Sequence, residues 1–115
     1  MDLKMNAREV KGVVILDLSG RLIMGEACKA IRDEVHDQLS QGCRKLLLNL
    51  GEVSYIDSAG LGELTGAFIS VRNREGRLKL VHLTKRVHDL MQITKLYTVF
   101  DVYDDEKEAI ASFGA

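Results

Sequence analysis

Asp57 and Ser58 stand side by side within the run Val53-Ser54-Tyr55-Ile56-Asp57-Ser58-Ala59-Gly60-Leu61-Gly62. A serine hydroxyl beside a carboxylate has three chemical uses: a nucleophile, an acceptor of phosphate, or a helix cap. The nucleophile of a hydrolase needs the turn Gly-x-Ser-x-Gly. Gly60 fills the second glycine position, but Ile56 stands where the first belongs. The candidate bases His36, His82 and His88 are scattered along the chain, and Asp57 is too near Ser58 in sequence to orient a separate imidazole. The pattern argues against Ser–His catalysis, and no catalytic residue is assigned. Phosphate-loop and dinucleotide spacings are absent. No His, Cys, Asp and Glu residues recur at metal-ligand spacing, so neither metal nor cofactor is expected. As caps, Asp57 and Ser58 would accept hydrogen bonds from the first free N–H groups of a helix, and Asp and Ser are what such caps are usually made of.

The neighbouring residues say what would hold this pair. Leu46-Leu47-Leu48-Asn49-Leu50 is an apolar run leading in, and Leu61, Leu64, Thr65 and Phe68 lead out at offsets of three and four. That is a buried strand, a tight turn, and a helix opening at Asp57 or Ser58. Gly60 and Gly62 leave the first helical turn without bulk, so another surface can come close to the backbone. Strand ends in open α/β sheets are where ligands tend to be met.

The rest of the chain supplies more such units. Met5 to Val10 and Val13 to Leu18 read as a hairpin turning at Lys11-Gly12. Ser19 to Gly25 reads as a glycine-bounded loop in which Leu22 plugs the core, with Ile23 and Met24 left to the core or to a partner. Ala27, Ile31, Val35 and Leu39 form the stripe of a first helix over Glu26 to Gln41, ended by Gly42. A second helix runs from Ser58 to about Asn73, and Arg77 to Leu83 forms the next strand. Thr84 caps a third helix with Val87, Leu90, Met91 and Thr94 on its apolar side. Val99 to Val102 is a short last strand, and Asp104 or Asp105 opens a final helix burying Ala109, Ile110 and Phe113. The order β-β-α-β-α-β-α-β-α implies one α/β domain over residues 1–115, with a mixed, mostly parallel sheet of about five strands and about four helices.

Composition narrows the partners. Sixteen basic residues against seventeen acidic ones leave a net charge of −1, which speaks against nucleic acid or an anionic membrane as the main partner. The cations Arg72, Arg74, Arg77, Lys79, Lys85 and Arg86 lack interleaved aromatics and read as solvated surface rather than an RNA platform. No apolar run approaches the roughly 20 residues of a membrane span, and the N-terminus lacks the layout of a signal peptide. Cys28 and Cys43 read as small core fillers in a reduced, cytoplasmic protein.

The decapeptide resembles the core motif of the STAS domain, the fold of anti-sigma factor antagonists, in which Asp-Ser-(Ser/Ala)-Gly-Leu-Gly carries a phosphorylated serine. The order of elements extends that resemblance over nearly the whole chain. It implies a binding module rather than an enzyme. The partner would be an anti-sigma factor that is also a serine kinase, with Ser58 as its phosphorylation site and a serine phosphatase to reset the cycle. Asp57, Ala59, Gly60, Leu61 and Gly62 would shape the surface that the partner reads. The family loop after the second strand often reads Gly-x-Leu-Asp, with the acid contacting the kinase. Here Gly20-Arg21-Leu22 keeps the frame, while Ile23 replaces the acid and Met24 follows. Ile23 and Met24 are therefore expected in an apolar partner-binding patch beside Ser58. The departure leaves two other STAS roles open: a stressosome-type assembly, or a subunit of a lipid or anion transporter.

Overall fold

The computed structural model describes residues 2–114. One five-stranded sheet carries the fold, with strands in the spatial order β1 (Leu3–Val10), β2 (Val13–Leu22), β3 (Lys45–Ile56), β4 (Arg77–Val81) and β5 (Val102–Tyr103). Only β1 and β2 pair antiparallel; every other pair is parallel. The parallel pairs are joined by α1 (Glu26–Ser40), α2 (Ser58–Asn73) and α3 (Lys85–Thr94), and α4 (Glu106–Ala111) closes the described chain.

The unbroken apolar runs of β2 and β3 follow from cover on both faces. Val14, Leu16 and Leu18, with Leu46, Leu48 and Leu50, pack into one cluster with Ile31, Leu64 and Met91 of α1, α2 and α3. The alternate residues Val13, Ile15 and Leu47 point the other way and pack against Ala109, Ile110 and Phe113. Among the described residues, α4 and the Phe113 that follows it cover the second face. The helix is fixed there by two polar devices. The Arg8 guanidinium donates to Asp17 at 2.7 Å and to Glu106 at 3.1 Å, tying α4 to β1 and β2. Lys79 of β4, only 4% exposed, donates its ammonium to the carbonyl of Ser112 at 3.0 Å and to its hydroxyl at 2.9 Å. Its ammonium also lies 4.9 Å from the Phe113 ring centre, where the ring face is attractive to a cation.

Four expectations about extent are corrected. Ser19 to Leu22 is strand and not loop: β2 continues to Leu22, with register irregularities between Asp17 and Ser19 and between Gly20 and Arg21. Gly20, at φ 111°, marks a close approach inside the strand, since a Cβ there would fall on the carbonyl of Asp2. The third strand does not stop at Leu50 but reaches Ile56, so half of the decapeptide is strand. The last strand begins at Val102 rather than Val99, because a 3-10 turn over Leu96–Thr98 comes first and Phe100 turns inward to pack edge-on against Phe68, ring centres 5.5 Å apart. The fourth strand also ends early, at Val81, where His82 adopts a left-handed backbone with φ 58°.

Candidate functional site

The long third strand delivers the candidate residues to the carboxyl end of the sheet. Ile56, its last residue, is buried, and Asp57 leaves the strand with extended dihedrals, φ −103° and ψ −179°. Asp57 is the N-cap of α2: one carboxylate oxygen accepts from the Gly60 N–H at 2.7 Å. Its other oxygen accepts from the Met24 N–H at 3.1 Å, in the loop between β2 and α1. The same aspartate donates its own N–H to the Leu22 carbonyl at 3.3 Å. One residue therefore joins the start of α2 to the end of β2. The N–H groups of Gly60 and then Met24 stabilise the charged carboxylate and hold its pKa below the usual aspartate range.

Ser58 is the first residue of α2 and is exposed. Among the described residues its side chain has no hydrogen-bond partner, and His36, His82 and His88 all lie exposed on other elements without bonding to it. The two motif glycines differ. A Cβ on Gly60 would collide with the Leu22 carbonyl and lie 2.9 Å from the Leu22 Cγ, so this glycine is required by the packing of the turn on β2. A Cβ on Gly62 would meet nothing within 4 Å. Leu61 is core, and Ala59 is half-buried. Leu22 is fully buried, as expected of the plug. Ile23 is half-buried, its carbonyl accepting from the Cys28 thiol at 3.3 Å, while Met24 is 76% exposed.

The expected site residues thus divide into those that build the turn, Asp57, Gly60 and Leu61, and those that it presents, Ser58, Gly62 and Met24. Two further residues meet at this end. Tyr55, 38% exposed at the end of β3, carries the Arg86 guanidinium 4.1 Å from its ring centre. Alternation with its buried neighbour Ile56 could have exposed Tyr55 in the sequence; nothing there joined it to Arg86. Among the described residues no three His, Cys, Asp or Glu side chains gather as a metal site, and no helix is long and apolar enough to cross a membrane.

The STAS domain family model matches residues 4–109. The chain belongs to the STAS domain family. A STAS relative, the anti-sigma-B factor antagonist of Bacillus subtilis, is 31% identical over 102 residues, covering 89% of this chain and 88% of that protein. The crystal structure of a Thermotoga maritima protein provisionally named an anti-sigma factor antagonist superposes with a TM-score of 0.85 at 27% identity, covering 96% and 95% of the two chains. The phosphorylated form of the Bacillus cell fate determinant SpoIIAA shares the STAS fold, with a TM-score of 0.74 at 22% identity over 95% of this chain and 98% of that one.

Proposed function

We propose that this STAS protein is an anti-sigma factor antagonist whose hold on its partner is set by phosphorylation of Ser58. The observation that carries the reading is an exposed serine at the first position of α2, beside an exposed methionine that the same aspartate fastens to it. The name of the Bacillus subtilis relative supports the antagonist role, and the phosphorylated SpoIIAA structure agrees with a phosphate-carrying fold. In this reading the protein is a substrate and a binding module. Its partner is an anti-sigma factor with serine kinase activity, and a serine phosphatase restores the unmodified form, all in the cytoplasm.

The site's geometry gives the switch its physics. A phosphoserine carries about −1.5 to −2 charges at neutral pH. The helix N-terminus favours an anion, but the Asp57 carboxylate already takes the Gly60 N–H and repels a second anion. The new group is thus left at the surface. A partner packed on Met24, Ser58 and Gly62 would have to bury or face it, and each ~1.4 kcal/mol of that cost is tenfold in affinity.

The test is a pull-down from the native host with the wild-type protein, followed by phosphorylation of the purified pair with ATP. Recovery of a serine kinase with its sigma factor, and phosphate lost in Ser58→Ala, are expected. Recovery of a transporter ATPase in its place would replace this reading.

A further inference from the structure

The helices that follow β2 and β3 both start at the carboxyl end of the sheet and run side by side. They are tied in the second turn of α2, where Arg32 of α1 donates to the Glu63 carboxylate at 2.7 Å. Below that tie they part. Gly66, Ala67 and Ser70 bring little bulk to the gap from α2, and a Cβ on Gly66 would meet nothing within 4 Å. The space left is a cavity of about 450 Å³, within the size range of small-molecule sites. Val35, Leu39 and Ala67, each no more than 4% exposed, seal its floor from the core. The walls can be reached from solvent: Arg32, His36, Gly66, Ser70, Asn73 and Arg74 are all exposed.

The free groups on these walls are mostly donors. His36, Ser70, Asn73 and Arg74 make no side-chain hydrogen bond or ion pair among the described residues. Glu63 is the one acid lining the cavity, and Arg32 holds it. Of the other acids on the two helices and the turn after α2, Asp33 is held by Lys29 and Glu34 accepts from Gln38, both at 2.8 Å. The unpaired Glu26, Asp37 and Glu75 do not line the cavity. Two guanidinium groups against one carboxylate leave it net positive. The carbonyls at the lower ends of both helices are already taken: Leu39 accepts from the Gly42 N–H and the Arg44 guanidinium at 3.0 Å each, and Val71 from the Gly76 N–H at 2.9 Å.

We propose that the cavity between α1 and α2 binds a small phosphate monoester with an aliphatic or sugar body. A phosphate offers three acceptor oxygens and close to two charges to the donors of His36, Ser70, Asn73 and Arg74. A carboxylate offers two oxygens and one charge, and leaves more of those donors unmatched. A guanidinium such as that of Arg74 fits phosphate oxygens in its own plane. The body of the ligand would lie over Gly66, against the apolar floor. No aromatic ring lines the cavity, so nothing there stacks on a nucleobase. Ser70 stands about 18 Å along α2 from Ser58, so occupancy of the cavity leaves the serine free.

The test is an NMR titration of the full-length protein with glucose 6-phosphate and with glycerol 3-phosphate. At least one ester should shift the Gly66 and Ser70 amides saturably, while glucose should not. Inorganic phosphate should bind the same amides more weakly, because it lacks the body, and AMP should bind no more tightly than the better ester. Arg74→Gln should lose about tenfold or more in affinity, while Arg77→Gln, outside the cavity, should keep it. Gly66→Leu fills the space from an exposed helical position and should abolish binding without lowering the melting temperature. If it does lower the melting temperature, His36→Gln takes its place, with a loss like that of Arg74→Gln expected. No saturable shift with either ester, or an affinity unchanged in these variants, overturns the proposal. Equal binding of inorganic phosphate, an adventitious ion only, overturns it too. So does binding confined to vesicles containing phosphatidic acid, which would make the ligand a lipid headgroup.

Discussion

Asp57 takes part in four hydrogen bonds, two of them through its side chain to Gly60 and Met24, and its removal has more than one consequence. Asp57→Ala should cost about 0.5–2 kcal/mol, the usual range for an N-cap, in urea unfolding, and the Met24 amide should exchange faster with solvent. The aspartate's lowered pKa gives a sign for the pH dependence. Its contribution is fully present above the unfolded value of about 4 and is lost as pH falls through the lower folded value. The stability advantage of wild type over Asp57→Asn should therefore shrink on acidification below about pH 4; an advantage constant with pH would contradict it. The motif glycines give a second residue-scale test. Gly60→Ala must displace the Leu22 carbonyl and should destabilise the fold. Gly62→Ala enters open space on a helix and should stabilise it by about 0.5–1 kcal/mol. If Gly62 is kept bare for a partner, that same alanine should weaken partner binding.

Among the elements, α4 depends most on few attachments, because among the described residues only it and Phe113 cover its face of the sheet. Its polar fastening is Arg8 between Asp17 and Glu106. The guanidinium lowers the pKa of both carboxylates, with the Arg8 hydrogen bond the largest cause in each case, and Asn49 adds a further bond to Asp17 at 2.8 Å. These groups are partly exposed, so solvent screening holds the expected cost of Arg8→Met to about 1 kcal/mol at neutral pH. Both carboxylates titrate below their ordinary values, so this contribution is present above about pH 4–5 and lost as pH falls through the folded values. Chemical denaturation of wild type and Arg8→Met should give curves that converge in acid and at high salt. The apolar fastening is larger: Phe113→Ala should cost about 3–5 kcal/mol and free Lys79 from one of its neighbours.

At the scale of the molecule, the candidate switch and the sheet are mechanically separate. Ser58 lies outside both apolar clusters, so a phosphate there touches no core contact. Phosphorylated protein should therefore melt within a few degrees of the unmodified form while losing partner affinity by tenfold or more. Ser58→Ala should retain binding and resist modification, and Ser58→Asp, with a single charge, should weaken binding only in part. Calorimetry beside a binding titration separates the outcomes. A large fall in melting temperature with unchanged affinity would mean that phosphate acts by loosening the fold.

The order of strands and helices, the start of α2 at Ser58 and the capping of the last three helices were legible in the sequence, because periodicity and capping are local. The STAS resemblance rested on equally local evidence, the motif around Ser58 and that order. Extents were not local: Ser19 to Leu22 and Val53 to Ile56 became strand because each found the other across the sheet, and glycines that look like punctuation are absorbed there as irregular pairing. Nor could the sequence distinguish Gly60 from Gly62, since the difference is the Leu22 carbonyl, which lies on another strand. The joining of Met24 to Asp57, of Arg86 to Tyr55 and of Lys79 to Ser112 likewise links residues far apart along the chain. Only tertiary packing brings such side chains within the few ångströms over which hydrogen bonds and charge–ring contacts act.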